Sequence, residues 1–129
     1  MATLKLLDEV YNVPLNDQVI KAAYGMNGAG RYGGQCGLVE GMLMFLGIWS
    51  SLHGMSYSQI QDLCNSFAEK FVKTFGSLLC ARLRPEAEVS ASDPHHACEE
   101  LKIHAILMDL DFLDNIKAKI GTDGMRSKL

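Results

Sequence analysis

Three features are missing from this 129-residue sequence, and each absence excludes a class of protein. There is no C-x-x-C pair, because Cys36, Cys64, Cys80 and Cys98 lie 28, 16 and 18 residues apart, and this excludes zinc ribbons and thioredoxin-type motifs. Twelve basic residues against 15 acidic ones give a net charge of −3, without the basic surplus of a nucleic-acid-binding protein. The most apolar run, residues 38–49, is too short to be inserted across a membrane.

The composition and the N-terminus indicate the expected class of protein. Hydrophobic residues make up 48% of the chain and charged residues 21%, which is typical of a folded domain. Charged residues occur at positions 5, 8 and 9, so we expect no signal peptide and a cytoplasmic protein with reduced thiols. No Ser-His-Asp grouping or pair of carboxylates indicates a hydrolase.

Apolar residues recur mainly at helical spacing, and no segment has a convincing strand pattern. Ser56-x-x-Gln59 has the pattern of a capping box at the start of a long helix. We predict an all-α helical bundle of about four to five helices, with a single domain over residues 1–115 and a frayed tail over residues 116–129. The periodic segments are residues 4–11, 16–24, 36–49, 56–75 and 94–115.

The last predicted helix, which begins at Pro94, is apolar along two stripes. One stripe includes Ile103 and Leu107, and the other includes Ala105 and Met108. A helix that is apolar on both sides is buried on both sides, so it is central to the bundle or forms a subunit interface. We therefore predict a symmetric homodimer that uses part of this helix.

Five glycines fall within residues 25–34, immediately before the apolar segment that begins at Cys36. Residues 28–33 match the letters of the dinucleotide pattern G-x-G-x-x-G. That pattern requires a preceding strand and an acidic residue about 20 positions later, and neither is present, so we expect no nucleotide. We interpret the segment as a tight loop that surrounds a site at Cys36.

The cysteines differ in their predicted positions. Cys36 and Cys98 lie at predicted helix starts, where unpaired amides and the helix dipole favour a thiolate that binds metal or attacks a disulfide. Cys64 lies in the middle of an apolar helix stripe, so we expect it in the core. Cys80 follows the end of the long helix, and its spacing leaves its role open.

Three motifs together resemble the C_GCAxxG_C_C family of redox-active proteins. Residues 25–41, with their glycines followed by Cys36-Gly37, are similar to its glycine-rich stretch and C-G-A-x-x-G motif. Residues 67–80 resemble its F-x-x-x-F-G-S-x-x-C helix end, and Cys98-x-x-Leu101 resembles its last cysteine. Order and spacing fit over nearly the whole chain.

The resemblance implies redox-active roles for Cys36, Cys80 and Cys98, as a dithiol–disulfide switch or as ligands of an iron–sulfur cluster or another metal. Leu38 replaces the alanine of the family, and the family's first cysteine, which aligns near Met1, is missing. A cluster is therefore one protein ligand short. A similar domain in split-Soret-type cytochromes accompanies iron–sulfur chemistry, but the lack of C-x-x-C-H excludes covalent haem here.

A shared role requires the three thiols to be close in space. Cys36, Cys80 and Cys98 meet if the helices that carry them start or end at the same end of the bundle. Cys64, 16 residues before Cys80, then lies on the order of 24 Å away at 1.5 Å per helical residue. Loop glycines without side chains leave room for backbone amides, or a cofactor, beside the sulfurs. These are Gly33, Gly34 and Gly37.

We therefore expect a redox or electron-transfer accessory protein, associated with an oxidoreductase and acting with a redox partner protein. The alternative is a helical binding or scaffold module with relic thiols, which the missing first cysteine and the lack of a catalytic acid or base favour. A small-molecule binder that uses the glycine loop is a third reading.

Overall fold

The computed structural model describes residues 2–83 and 99–119, and within them the chain is all-α, as predicted. The described residues form no strand, and their single β-bridge joins Gln35 and Leu79. Four elements exceed two turns and make the bundle, and three are one to two turns long. The elements are α1 (Ala2–Tyr11), α2 (Asp17–Ala22), α3 (Gly28–Arg31), α4 (Gly37–Leu52), α5 (Tyr57–Phe75), α6 (Cys80–Leu83) and α7 (Glu99–Lys119).

Helix α4 is the centre of the bundle, because α1, α5 and α7 all pack against it. Its buried side chains include Met42, Phe45 and Trp49, which recur every three to four residues. At Gly41 the backbone of α1 approaches so closely that a Cβ would lie 3.1 Å from the Cβ of Thr3. The absence of a side chain there sets the distance between α1 and α4.

Local sequence signals fix the ends of the long helices. The capping box of α5 is confirmed: the Ser56 hydroxyl accepts from the Gln59 amide, and the Gln59 side chain accepts from the Ser56 amide. Gly76 ends α5 with φ 94°, and Gly54 follows α4 with φ 79°. Both glycines adopt the left-handed conformation that commonly ends a helix.

Helix α7 is covered on one side only in the described structure. Ala105, Met108 and Leu113 are buried, whereas Ile103 and Leu107 of the other stripe are 55% and 59% exposed. The helix continues to Lys119, and Ile116 is buried, so regular structure passes the boundary expected after residue 115. The predicted start of this helix at Asp93-Pro94 lies outside the described residues.

None of the helices in the described ranges combines the length and the apolarity needed to cross a membrane.

Candidate functional site

The short element α3, within the glycine-rich segment, is a left-handed turn and not a regular α-helix, and it lies at the end of the bundle where α4 begins. Gly28, Ala29, Gly30 and Arg31 have φ values of 61°, 53°, 68° and 68°. For residues other than glycine this conformation costs roughly 1–2 kcal/mol each, so Ala29 and Arg31 are strained. Such strain persists only where surrounding contacts impose the conformation, and it is concentrated at functional sites.

Backbone hydrogen bonds centred on Gly28 hold the turn. The Gly28 carbonyl accepts from the amides of Tyr32, Gly33 and Gly34, the last two at 3.0 Å. The Gly28 amide donates to the Gln35 carbonyl at 2.7 Å. The turn therefore closes on itself before the chain enters α4.

The chain leaving this turn pairs with the segment that follows α5. The Cys36 amide donates to the Leu78 carbonyl at 2.8 Å, and the Cys80 amide donates to the Gly34 carbonyl at 2.7 Å. These two bonds flank the antiparallel bridge between Gln35 and Leu79. Cys36 and Cys80 each directly follow a residue of the bridged pair, so these backbone hydrogen bonds bring the two chain segments that carry the cysteines together.

The loop glycines have distinct steric roles beside this pair. A Cβ on Gly28 would lie 3.7 Å from the Cys80 sulfur, so this glycine forms part of the wall around that thiol. A Cβ on Gly37 would lie 2.6 Å from the Asn27 Cβ, and one on Gly34 would lie 3.0 Å from the Ala29 Cβ. Of the glycines expected at the site, Gly34 and Gly37 thus allow close packing of the loop. The third, Gly33, has φ 102°, and its carbonyl accepts from the Ala81 amide at 3.3 Å.

The two paired cysteines differ in accessibility. Cys36 is the N-cap residue of α4 and is buried, and its carbonyl accepts from the amides of Val39 and Glu40. Cys80 begins α6 and is half-buried. A buried thiol beside a more accessible one is the arrangement needed for one sulfur to meet an external disulfide and the other to resolve the product.

Cys64 is not part of this backbone pairing. Cys64 lies in the middle of α5, half-buried and packed against the core, and burial raises the pKa of its thiol. A raised pKa lowers the thiolate fraction at neutral pH, which suits a structural cysteine. Cys98 lies outside the described residues.

One polar pair spans the start of α4, with Gln35 directly before Cys36 and Glu40 in the first turn of the helix. The Gln35 side-chain amide donates to a carboxylate oxygen of Glu40, and burial raises the pKa of Glu40. No sequence pattern predicts this hydrogen bond, although both residues lie within the glycine–cysteine motif. The sequence likewise predicts Gly28 as a loop residue but does not predict that it lies next to Cys80.

Potential metal ligands are scattered in residues 2–83 and 99–119. These residues contain no group of three or more His, Cys, Asp or Glu side chains arranged to hold an ion. An iron–sulfur cluster is normally held by four cysteines, and Cys36 and Cys80 supply two. What this part of the chain offers chemically is a pair of thiols.

The core contains a buried carboxyl group, that of Asp109, which the sequence patterns did not indicate as functional. Asp109 on α7 is 1% exposed, and neither of its carboxylate oxygens has a hydrogen-bond partner among the described residues. Burial raises its pKa to about 8, so the carboxyl group is largely protonated at neutral pH. The available signal was its spacing, four residues from Ala105 and four from Leu113, which places it on the buried stripe.

Comparison with known proteins identifies the family. The model of the family described as "Putative redox-active protein (C_GCAxxG_C_C)" matches residues 1–109. Since this is well over half of the chain, the protein belongs to that family. No curated protein and no solved structure matches the chain.

Proposed function

Starting from this family membership, we propose that the protein exchanges electrons through the thiols of Cys36 and Cys80. The observation that supports the proposal is the backbone pairing of residues 34–36 with residues 78–80, which joins the segments of the two cysteines beside the strained glycine turn. Thiol–disulfide exchange needs two thiols and no other cofactor.

In the proposed reaction, the more accessible Cys80 thiolate attacks one sulfur of a partner's disulfide and displaces the other sulfur as a thiolate. The Cys36 thiolate then attacks the Cys80 sulfur and releases the partner's second thiolate. The Cys36–Cys80 dithiol is oxidised to a disulfide, the partner's disulfide is reduced to a dithiol, and the two protons pass to the partner's sulfurs.

We propose that this disulfide closes with a small movement, because Cys36 and Cys80 are diagonal to each other across the bridge between Gln35 and Leu79. Disulfides join residues whose Cα atoms are about 4.4–6.8 Å apart, slightly closer than diagonal neighbours of an antiparallel pair. Cys80 belongs to a single helical turn that is tied to the loop through Gly34 and Gly33. We propose that a shift of this turn toward α4 brings the sulfurs together.

Cys98 is proposed as a third thiol of the same system, because the family pattern includes it. With Cys36 and Cys80 it would also supply three ligands of an iron–sulfur cluster, and a partner or a non-protein group would have to supply the fourth. We further propose a cytoplasmic location, since switch cysteines of this kind act where disulfides do not persist.

Thiol titration of anaerobically purified protein, before and after reductant, tests the proposal. We expect the air-oxidised Cys98→Ser and Cys64→Ser/Cys98→Ser variants to regain two thiols on reduction, and the Cys80→Ser/Cys98→Ser variant to regain none. Equal thiol counts before and after reduction would instead favour a scaffold with relic thiols. A visible iron–sulfur absorption band that is lost in the Cys80→Ser variant would assign the cysteines to a cluster.

We also propose that the protein is a homodimer formed through α7. The supporting observation is the exposure of Ile103 and Leu107, which lie one turn apart on the same helix face. The measurement is the mass in solution by light scattering at high micromolar concentration. We expect the mass of a dimer for the wild type and the mass of a monomer for the Leu107→Lys variant. A monomeric wild type would contradict the proposal.

A further inference from the structure

Exposed side chains with apolar character occur on the glycine turn and beside Cys80 in the sequence. We define the loop face as the exposed side chains of Tyr24, Met26, Arg31, Tyr32, Leu79 and Arg82. Tyr32 is 89% exposed, Tyr24 62% and Leu79 42%, so aromatic and aliphatic groups face solvent here. The left-handed turn carries Arg31 and leads directly into Tyr32, so the strained backbone presents both side chains to solvent.

These side chains belong to two chain segments, residues 24–32 and residues 79–82, and backbone hydrogen bonds from Cys80 and Ala81 to the loop glycines hold the segments together. The Ala29 amide donates to the Met26 carbonyl at 2.9 Å, which ties the first part of the face to the turn. Leu79 directly precedes Cys80, and Arg82 follows two residues later in α6. The loop face therefore consists of side chains on the glycine turn and on the segment around Cys80, which backbone hydrogen bonds join at Gly33 and Gly34.

The charge of this face is opposite to that of the whole chain. Residues 22–39 and 76–83 contain Arg31 and Arg82 and no Asp or Glu, whereas the chain carries a net charge of −3. The adjoining acid, Glu40, is half-buried and accepts from the Gln35 side chain, so it is not part of the exposed loop face. Both arginines are exposed. A local positive field next to exposed Tyr and Met side chains attracts negatively charged surfaces and matches the residue types enriched in protein–protein interfaces.

Resting on the proposed function, we propose that the loop face is the docking surface for an acidic partner protein that delivers its disulfide or dithiol to Cys80. The two arginines steer the acidic surface toward the thiol. The exposed aromatic side chains supply the contact area, because Tyr and Arg are the side chains that most often dominate binding energy. A partner that docks here places its reactive sulfur next to Cys80 and leaves the buried Cys36 to resolve the mixed disulfide.

A labelled thiol allows docking to be measured without assuming the redox cycle. In the Cys36→Ser/Cys64→Ser/Cys98→Ser variant, Cys80 is converted to a mixed disulfide with 2-nitro-5-thiobenzoate. Attack of an incoming thiolate on the Cys80 sulfur releases the yellow 2-nitro-5-thiobenzoate anion and leaves a new mixed disulfide, which the second thiol of the reductant resolves. The release rate is compared for reduced thioredoxin, a small acidic dithiol protein, and for dithiothreitol, a small neutral dithiol.

We expect the Arg31→Glu/Arg82→Glu variant to lower the rate with thioredoxin roughly tenfold at low salt and to change the rate with dithiothreitol less than twofold. High salt should abolish the difference. The control is Lys117→Glu/Lys119→Glu, which changes the net charge equally at the last turn of α7 and should leave both rates unchanged. The proposal would be overturned if the arginine variant changed the rates with both reductants equally or changed neither rate. It would also be overturned if the lysine control had the same effect as the arginine variant.

A second variant tests the aromatic contact without altering charge. Tyr32→Ser should slow the thioredoxin reaction several-fold, whereas Tyr57→Ser, at a residue 79% exposed at the start of α5, should not. Equal rates for the two tyrosine variants would contradict the aromatic part of the docking face. The release assay uses a label attached to Cys80 in a chain that lacks Cys36, so its result does not depend on a Cys36–Cys80 disulfide. Whether Cys36 and Cys80 form a redox pair is tested separately by the thiol titration.

Discussion

The bundle core fills space with aromatic rings, whereas the loop end of the bundle keeps space open with glycines. In the core, Phe67 packs edge-on against Phe112 with ring centroids 5.5 Å apart, and Phe71 lies 6.0 Å from Phe67. At the loop end, Gly28 and Gly37 lie where a Cβ would touch Cys80 or clash with Asn27. The core thus accounts for stability and the loop end for the placement of two thiols, so mutations in the two regions should have separable effects.

The largest effect is expected from removing a core ring. Phe67 is completely buried, so Phe67→Ala should lower the free energy of unfolding by about 3–5 kcal/mol. Chemical denaturation followed by circular dichroism measures this change. Tyr57→Ala, at an exposed position, should change stability by no more than about 0.5 kcal/mol, and a similar loss at both positions would contradict the assignment of the core.

The next effect concerns the buried carboxyl group of Asp109. Its pKa is raised from 3.8 to about 8 by burial, so between these values the unfolded chain releases a proton that the folded chain retains. The contribution of Asp109 to the free energy of unfolding should therefore be most favourable below about pH 4 and should decrease as the pH rises to about 8, by at most about 1.4 kcal/mol per pH unit.

Asp109→Asn removes this titration and should flatten the pH dependence of the free energy of unfolding over that range. Asp111→Asn is the matched control, because Asp111 is exposed on the same helix and pairs with Lys70 at 3.4 Å. Denaturation series at several pH values measure both variants. If the free energy of unfolding of Asp109→Asn depends on pH as steeply as that of the wild type, the buried carboxyl group does not cause the pH dependence.

Alanine substitutions at two glycines of α4 distinguish a glycine that packs against the loop, Gly37, from one that does not, Gly47. Gly37→Ala should destabilise the protein by about 1–3 kcal/mol, because its Cβ would lie 2.6 Å from the Asn27 Cβ and displace the loop. Gly47→Ala meets no atom within 4 Å and should stabilise α4 by about 0.5–1 kcal/mol. Only the first change should slow disulfide formation between Cys36 and Cys80, and equal rates in the two variants would contradict the steric role of Gly37.

The smallest effect tests the strain in the left-handed turn. Ala29 has φ 53°, so Ala29→Gly should raise the free energy of unfolding by less than about 1 kcal/mol, since the relief of strain is partly offset by the greater freedom of glycine in the unfolded chain. Ala68→Gly, within α5, should lower it by about 1 kcal/mol. Changes of the same sign at both positions in thermal unfolding would argue against strain at Ala29.

The sequence predicted the bundle well because each helix carries its own signals. The spacing of Phe67 and Phe71, the capping box at Ser56 and the ending at Gly76 depend on residues within one or two turns. Such local patterns determine which face is buried and where a helix starts or ends. The all-α fold follows from them without knowledge of the tertiary contacts.

The candidate site was less predictable because its geometry depends on residues that are distant in sequence. The composition of residues 25–34 predicted an irregular loop, but the left-handed turn and the pairing with residues 78–80 arise from tertiary contacts. The contact between Gly28 and Cys80 has no local signature. Asp109 illustrates the same limit in the core: helical spacing places it on the buried face, but only the three-dimensional structure shows that its oxygens lack hydrogen-bond partners among the described residues.

The central claim is that the glycine loop holds Cys36 and Cys80 together as a redox pair while Cys64 stays apart. The most direct test compares two variants with two cysteines each, Cys64→Ser/Cys98→Ser and Cys36→Ser/Cys98→Ser, after oxidation with diamide at low protein concentration. Intact mass and peptide mapping should show an intramolecular Cys36–Cys80 disulfide in the first variant and unlinked Cys64 and Cys80 in the second. If the first variant forms no intramolecular disulfide, or if both variants form one equally well, the account of the site is wrong.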